Sequence, residues 1–180
     1  MGNKYYQPHF KGFTLVEALV YIAILSIVIL SISVFFIWAI RSDAKSQVMA
    51  EVVYNAERAM AVMIHEIKES QAIYTPTSLF DAHPGQLSLV TNKYLPQGEA
   101  DSYLDFYLCG SQLCFKKESQ QPVFITSNNV AITNLVFSEI VSGQTPSVQI
   151  NLTVDYINPQ AKPEYEASIS LQSTVSLVLY

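Results

Sequence analysis

Five residues near the start of the chain carry its most informative chemistry: Lys11, Gly12, Phe13, Thr14 and Glu17. Glu17 is an ionisable group at the mouth of an apolar run. From Ala18 to Ile40 roughly 23 residues pass without a charge, a proline or a glycine, long enough to cross a hydrocarbon core of about 30 Å as a helix. A carboxylate taken into lipid is expensive, so such a residue is either functional or held at the headgroup boundary, where it stays ionised. Both readings stand on position alone.

Other chemistry-bearing residues are sparse. Cys109 and Cys114 are the only cysteines, with four residues between them across an expected hairpin tip. They form either a disulfide or two partly buried thiols. His9, His65 and His83 are scattered and bring no ligand pair to the cysteines, so no metal site is expected, and nothing calls for a cofactor. Asn151-Leu152-Thr153 fits a glycosylation sequon inside an expected strand and is assigned no role. Glu164 and Glu166 read as charges that blunt an exposed strand edge. No nucleophile elbow, phosphate loop or paired-carboxylate site is present, so catalytic residues are not expected.

The elements that position these groups follow from periodicity. Beyond the apolar run, Ala44, Val48, Met49, Val52, Val53, Ala56, Met60, Met63, Ile64 and Ile67 recur at helical spacing, with charges mainly between them. No proline interrupts the stretch between Phe13 and Pro76, so one helix from Phe13 to about Ser70 is expected, roughly 85 Å long. Its first half must face lipid or similar helices, and its second half should offer one stripe to a globular domain. The expected segments are 1–12 as a leader, 13–40 as the transmembrane half, 41–72 as the amphipathic half and 73–180 as a β-rich head.

In the head, Gln71 to Pro84 reads as a linker, with turn signals at Thr75-Pro76-Thr77 and His83-Pro84-Gly85. Strands follow around Leu87 and Leu89, over Tyr103–Cys109 and Gln112–Lys117 with a turn near Gly110-Ser111, over Val123–Thr126, Val130–Ile140 and Val148–Tyr156, and Tyr165–Leu179 makes the last strand or pair of strands. Loops are expected around Pro96-Gln97-Gly98, from Gly143 to Pro146 and from Asn158 to Pro163. A helix followed by antiparallel strands is an α+β arrangement, the sheet packing on the amphipathic helix half.

A polar leader with Lys4 and Lys11, then Gly12, Phe13, Thr14-Leu15-Val16-Glu17 and a long apolar helix resembles the prepilin signal of type IV pilins and type II secretion pseudopilins. The resemblance covers the first quarter of the chain. It implies the pilin fold, cleavage between Gly12 and Phe13 by a membrane-embedded prepilin peptidase, and N-methylation of Phe13. It also implies an assembly role for Glu17, which would pair with the Phe13 amine of a neighbouring subunit. Gly12, lacking a Cβ, suits an extended chain in a protease site. The implied partners are sister subunits, the peptidase, an inner-membrane assembly platform and membrane lipid. The resemblance also implies that the leader lies in the cytoplasm and the head outside; the flanking charges Lys4, Lys11, Arg41 and Lys45 nearly balance and do not decide the orientation.

The family often bends this helix with a proline, and this chain has none; it has Val34 and Tyr54 near the usual places, and Ser31 and Ser33 as points of softening. That absence, and cysteines lying mid-domain, lean toward a minor component. The stretches Ala56–Ile73, Asn134–Phe137 and Ser170–Leu179 resemble the J-type minor pseudopilins. A net charge of −5 gives no basic patch for nucleic acid. Lys116-Lys117 is a thin candidate for a filament-carried DNA-uptake or adhesion module. An uncleaved, single-pass anchored domain is the third reading.

Overall fold

The computed structural model describes residues 12–178 apart from 94, 96, 143 and 144. Lys4, His9 and Lys11, the turn residues Pro96 and Gly143, and the expected strand end at Leu179 lie outside the described residues. The chain divides into two compact units that meet between Ser42 and Asp43.

Helix α1 runs through both, over Leu15–Glu69. In the first unit Thr14 starts it: Thr14 Oγ1 accepts the Glu17 backbone N–H at 3.2 Å, satisfying one of the donors that a helix start leaves free. Three hydroxyls that lipid would leave unpaired bond back along the helix instead. Ser26, Ser31 and Ser33 donate to the carbonyls of Ile22, Ile27 and Ile29 at 2.7, 2.9 and 2.8 Å. Helical structure continues through Ser31 and Ser33 without a break.

In the second unit α1 buries a stripe through Val48, Val52, Ala56, Met60, Met63 and Ile67, the three- and four-residue steps of one helix face. Met49, expected on that stripe, is exposed. Asn55 and Glu66 are buried in its company. The helix ends at Glu69, short of the expected 72 and of the Ala56–Ile73 helical stretch. Ser70 Oγ donates to the Glu66 carbonyl at 2.6 Å, and Gln71 N–H turns to the Val90 carbonyl at 2.8 Å.

Among the described residues eight antiparallel strands follow: β1 (Ala72–Ile73), β2 (Leu87–Thr91), β3 (Ser102–Cys109), β4 (Gln112–Lys117), β5 (Val123–Phe124), β6 (Val130–Ser142), β7 (Thr145–Tyr156) and β8 (Ser168–Ser176). They form two sheets, one in the order β1-β2-β3-β4-β5 and one in the order β6-β7-β8. The α+β class holds, with two sheets where one was expected. Their inner faces and the α1 stripe enclose a single core, in which Leu104, Phe106, Phe137 and Ile150 are almost wholly removed from water. Ala56 and Ala59 lie in that core with no exposed surface, small side chains where the helix surface is most crowded.

Three expected connections differ. The linker after Gln71 contains β1, because Ala72 and Ile73 pair with Val90 and Leu89. The loop expected from Gly143 to Pro146 is shorter, since β6 and β7 stay in register to Ser142 and Thr145. At the end of the chain Pro163–Tyr165 forms a 3-10 turn, so β8 begins at Ser168 and not at Tyr165.

Candidate processing and assembly motif

The residues flanking the helix start form a small constellation. Gly12 precedes α1, and a Cβ built on it would meet nothing within 4 Å. Among the described residues no close packing demands a glycine there, so they leave its presence unexplained. Phe13 is 75% exposed, with its ring edge-on to Tyr21 at 6.0 Å.

Glu17 sits in the first helical turn, where a negative charge complements the free N–H groups of the helix start. One of its carboxylate oxygens accepts the Tyr21 hydroxyl at 3.3 Å. Thr14-x-x-Glu17 thus serves as half of a capping box whatever else it does. Tyr21 was not singled out from sequence. Its signal is spacing: it lies one turn beyond Glu17 and on the same face. A phenol there can hold the carboxylate while keeping its ring in an apolar setting.

Beyond this constellation, every large apolar side chain of α1 from Leu15 to Ile40 is exposed. The helix is long and apolar enough to cross a membrane.

Residues 8–33 match the family model of the prokaryotic N-terminal methylation motif. The chain carries the N-terminal signature of the type IV pilin and pseudopilin family. The match ends inside the apolar half of α1 and does not reach the head. No curated protein and no solved structure shows significant similarity to the chain. The matched family is structural and not enzymatic.

The remaining sequence candidates lie in the head. Cys109 and Cys114 are joined in a disulfide, with Cα atoms 5.8 Å apart. The ladder pairs Cys109 with Gln112 and Tyr107 with Cys114. The bridge is therefore diagonal, and Gly110, at φ 67°, makes the tight turn it spans. His65 is exposed on α1, while His83 Nδ1 accepts the Leu135 N–H at 3.0 Å. Among the described residues no three His, Cys, Asp or Glu side chains cluster as metal ligands. Asn151 and Thr153 lie on β7, and the Thr153 hydroxyl is 2.9 Å from that of Ser170. Lys116 stands opposite Asp105 in the ladder and the Lys117 ammonium lies over the Phe115 ring at 5.6 Å, so the pair makes no basic patch. Glu164 lies within the 3-10 turn and Glu166 caps it; both precede β8 and leave its edge without charge.

Sequence reasoning also missed the contacts that tie α1 to the head. Asn55 Oδ1 accepts the Ser127 N–H at 2.8 Å, and its amide donates to the Glu51 carbonyl at 2.9 Å. Glu51 Oε1 accepts the Asn129 amide at 2.7 Å. A buried asparagine and a glutamate one turn apart thus hold the turn before β6.

Proposed function

We propose that the chain is a minor pilin or pseudopilin subunit: stored in the cytoplasmic membrane, cut after Gly12, N-methylated on Phe13 and drawn into a type IV pilus or type II secretion pseudopilus. The observation that carries this reading is the glycine. Packing among the described residues gives no reason for Gly12, while the matched motif begins before it and runs on through Glu17. Hydrolysis of the Gly12–Phe13 amide leaves an α-amine on Phe13, with an ordinary pKa near 8.

Between packed apolar helices, the Glu17 carboxylate of one subunit then meets the Phe13 ammonium of the next. In a medium of low dielectric constant an unpaired member is costly, so the pair sets axial register as well as adding attraction. Tyr21, donating to Glu17, keeps the carboxylate aimed along the helix surface. The partners are sister subunits, the prepilin peptidase, the inner-membrane assembly platform and lipid. The leader lies in the cytoplasm and the head outside. The chain is a substrate of enzymes and performs no catalysis of its own.

Intact mass and N-terminal sequencing of the chain recovered from a host with a prepilin peptidase test this directly. The expected product begins at a methylated Phe13. Replacing Gly12 by leucine should leave the leader attached in essentially all molecules, with the head fold unchanged because the site has open space around it. A wild-type chain recovered with its leader intact would be an uncleaved anchor and would overturn the proposal.

A further inference from the structure

Ser88 has no surface exposed to water, although it lies on the face of the five-stranded sheet that turns away from the core. Leu87, Leu89, Leu104 and Phe106 belong to the core, so strand alternation sends Ser88, Tyr103 and Asp105 to the other face. Ser88 and Asp105 stand opposite each other in the ladder, and the Ser88 hydroxyl donates to Asp105 Oδ1 at 2.6 Å. Beside this pair is a cavity of about 270 Å³ lined by Tyr74, Thr77, Gln86, Tyr103 and Asp105. Its walls are fixed by the backbone. The Tyr74 N–H donates to the Ser88 carbonyl at 2.8 Å. The Ser78 hydroxyl accepts the Ser88 N–H at 3.0 Å and donates to the Tyr74 carbonyl at 2.8 Å. On the far side the Tyr103 N–H donates to Glu118 Oε2 at 3.2 Å. The Tyr74 and Tyr103 rings meet edge to face, with centroids 4.9 Å apart and planes at 62°.

The cavity presents ring surface and polar groups together. Among the described residues, the Thr77 hydroxyl, the Gln86 amide, both phenol hydroxyls and Asp105 Oδ2 take no side-chain hydrogen bond within the chain. One charge lines the space, and Lys116 stands opposite it in the ladder. The Asp105 carboxylate repels an anion, and the neighbouring ammonium offsets its pull on a cation. That balance favours a neutral ligand with many hydroxyls and one flat apolar face. A pyranose ring has that character: its C–H groups make a face for an aromatic ring, and its hydroxyls reach outward to carboxylate and amide. The volume is below the roughly 300–1,000 Å³ of sites for drug-sized molecules, which leaves room for one sugar ring.

We propose that this cavity is a saccharide site, taking one neutral hexopyranose unit of a glycan. The tyrosine corner covers the C–H face of the sugar. Asp105 accepts from its hydroxyls through the oxygen that Ser88 leaves free, and the Gln86 amide both donates and accepts. Because the Ser88 bond already aims the carboxylate, little ordering is lost on binding. The site lies wholly in the head and does not rest on processing at Gly12. The leader-retaining Gly12→Leu chain should therefore bind as the wild type does.

The test uses the full-length chain in a polyoxyethylene detergent, which carries neither sugar nor ammonium groups. Methyl β-galactoside, methyl β-glucoside, methyl α-mannoside and N-acetylglucosamine are titrated by saturation-transfer NMR, with tetramethylammonium as the cationic comparison. At least one sugar should saturate with a Kd on the order of 1 mM, and more tightly than tetramethylammonium. Asp105→Asn, which keeps an acceptor for Ser88 but loses the charge, should weaken that binding about tenfold. Tyr103→Leu, which loses the ring face, should weaken it about as much, whereas Tyr103→Phe should stay within about twofold. Thermal unfolding of each variant checks the fold. Gln86→Ala, at a half-buried position outside the core, should cost about fivefold and carries the test if Tyr103→Leu is unstable. Overturning results are a wild-type chain that saturates with none of the four sugars, tetramethylammonium binding more tightly than all of them, or Asp105→Asn and Gln86→Ala chains that bind as the wild type does.

Discussion

Between Leu15 and Ile40, α1 leaves every large apolar side chain exposed, whereas from Val48 to Ile67 it buries one face in the head. The backbone is the same continuous helix in both stretches. What changes is the medium each is suited to. Past Glu17 and Tyr21 the first half is apolar all round and polar only where hydroxyls bond back to the helix, a surface for lipid or for other apolar helices. The second half gathers small and large apolar residues on one face, with Asn55 and Glu66 among them and most of its charges elsewhere, a surface for one partner on one side. The first half can therefore exchange neighbours, while the second is committed to its own chain.

The comparison can be broken first at Glu17. Glu17→Gln removes the charge but keeps a hydrogen-bond acceptor for Tyr21. Incorporation into filaments, measured by pull-down of assembled fibres, should be largely lost while the urea unfolding of the head stays unchanged. Wild-type incorporation would mean that Glu17 serves only the helix start.

Next come matched truncations in the two halves. Met63→Ala opens a cavity beneath both sheets and should cost the head about 3 kcal/mol in urea unfolding. Leu30→Ala removes a comparable side chain with no partner in the chain, and should leave that unfolding curve in place. A shared loss would show that the two halves are energetically one unit.

The smallest expected effect sharpens the boundary between helix and head. Asn55→Ala leaves the Ser127 N–H without its acceptor and should cost about 2 kcal/mol. Asn55→Asp keeps an acceptor oxygen at the same place and should cost less. Equal losses would mean that Asn55 acts by packing alone.

How much was legible in the sequence differs along the chain for physical reasons. The hairpin from Tyr103 to Lys117 was readable because alternation and Gly110 are local signals, and its observed register spans Cys109↔Gln112 to Leu104↔Lys117. The end of α1 near Ser70 was legible but β1 just beyond it was not, since Ala72 and Ile73 are good residues for either structure and their pairing with Val90 and Leu89 lies far along the chain. Likewise nothing local marks Asn55 as buried. An asparagine on a helix face looks solvated until the loop that uses it arrives from 72 residues away.

The N-terminal motif belongs to what the sequence determined by itself. Membrane length, the leading Glu17 and the order Gly12-Phe13-Thr14 depend only on neighbours along the chain and on a helix of fixed rise. Tertiary structure alone decided that the strands split into two sheets, that the cysteine bridge runs diagonally, and that Tyr74 and Tyr103 meet beside Asp105. Those outcomes turn on which distant backbone groups satisfy one another, and hydrogen bonding between strands carries no imprint in the residues that take part.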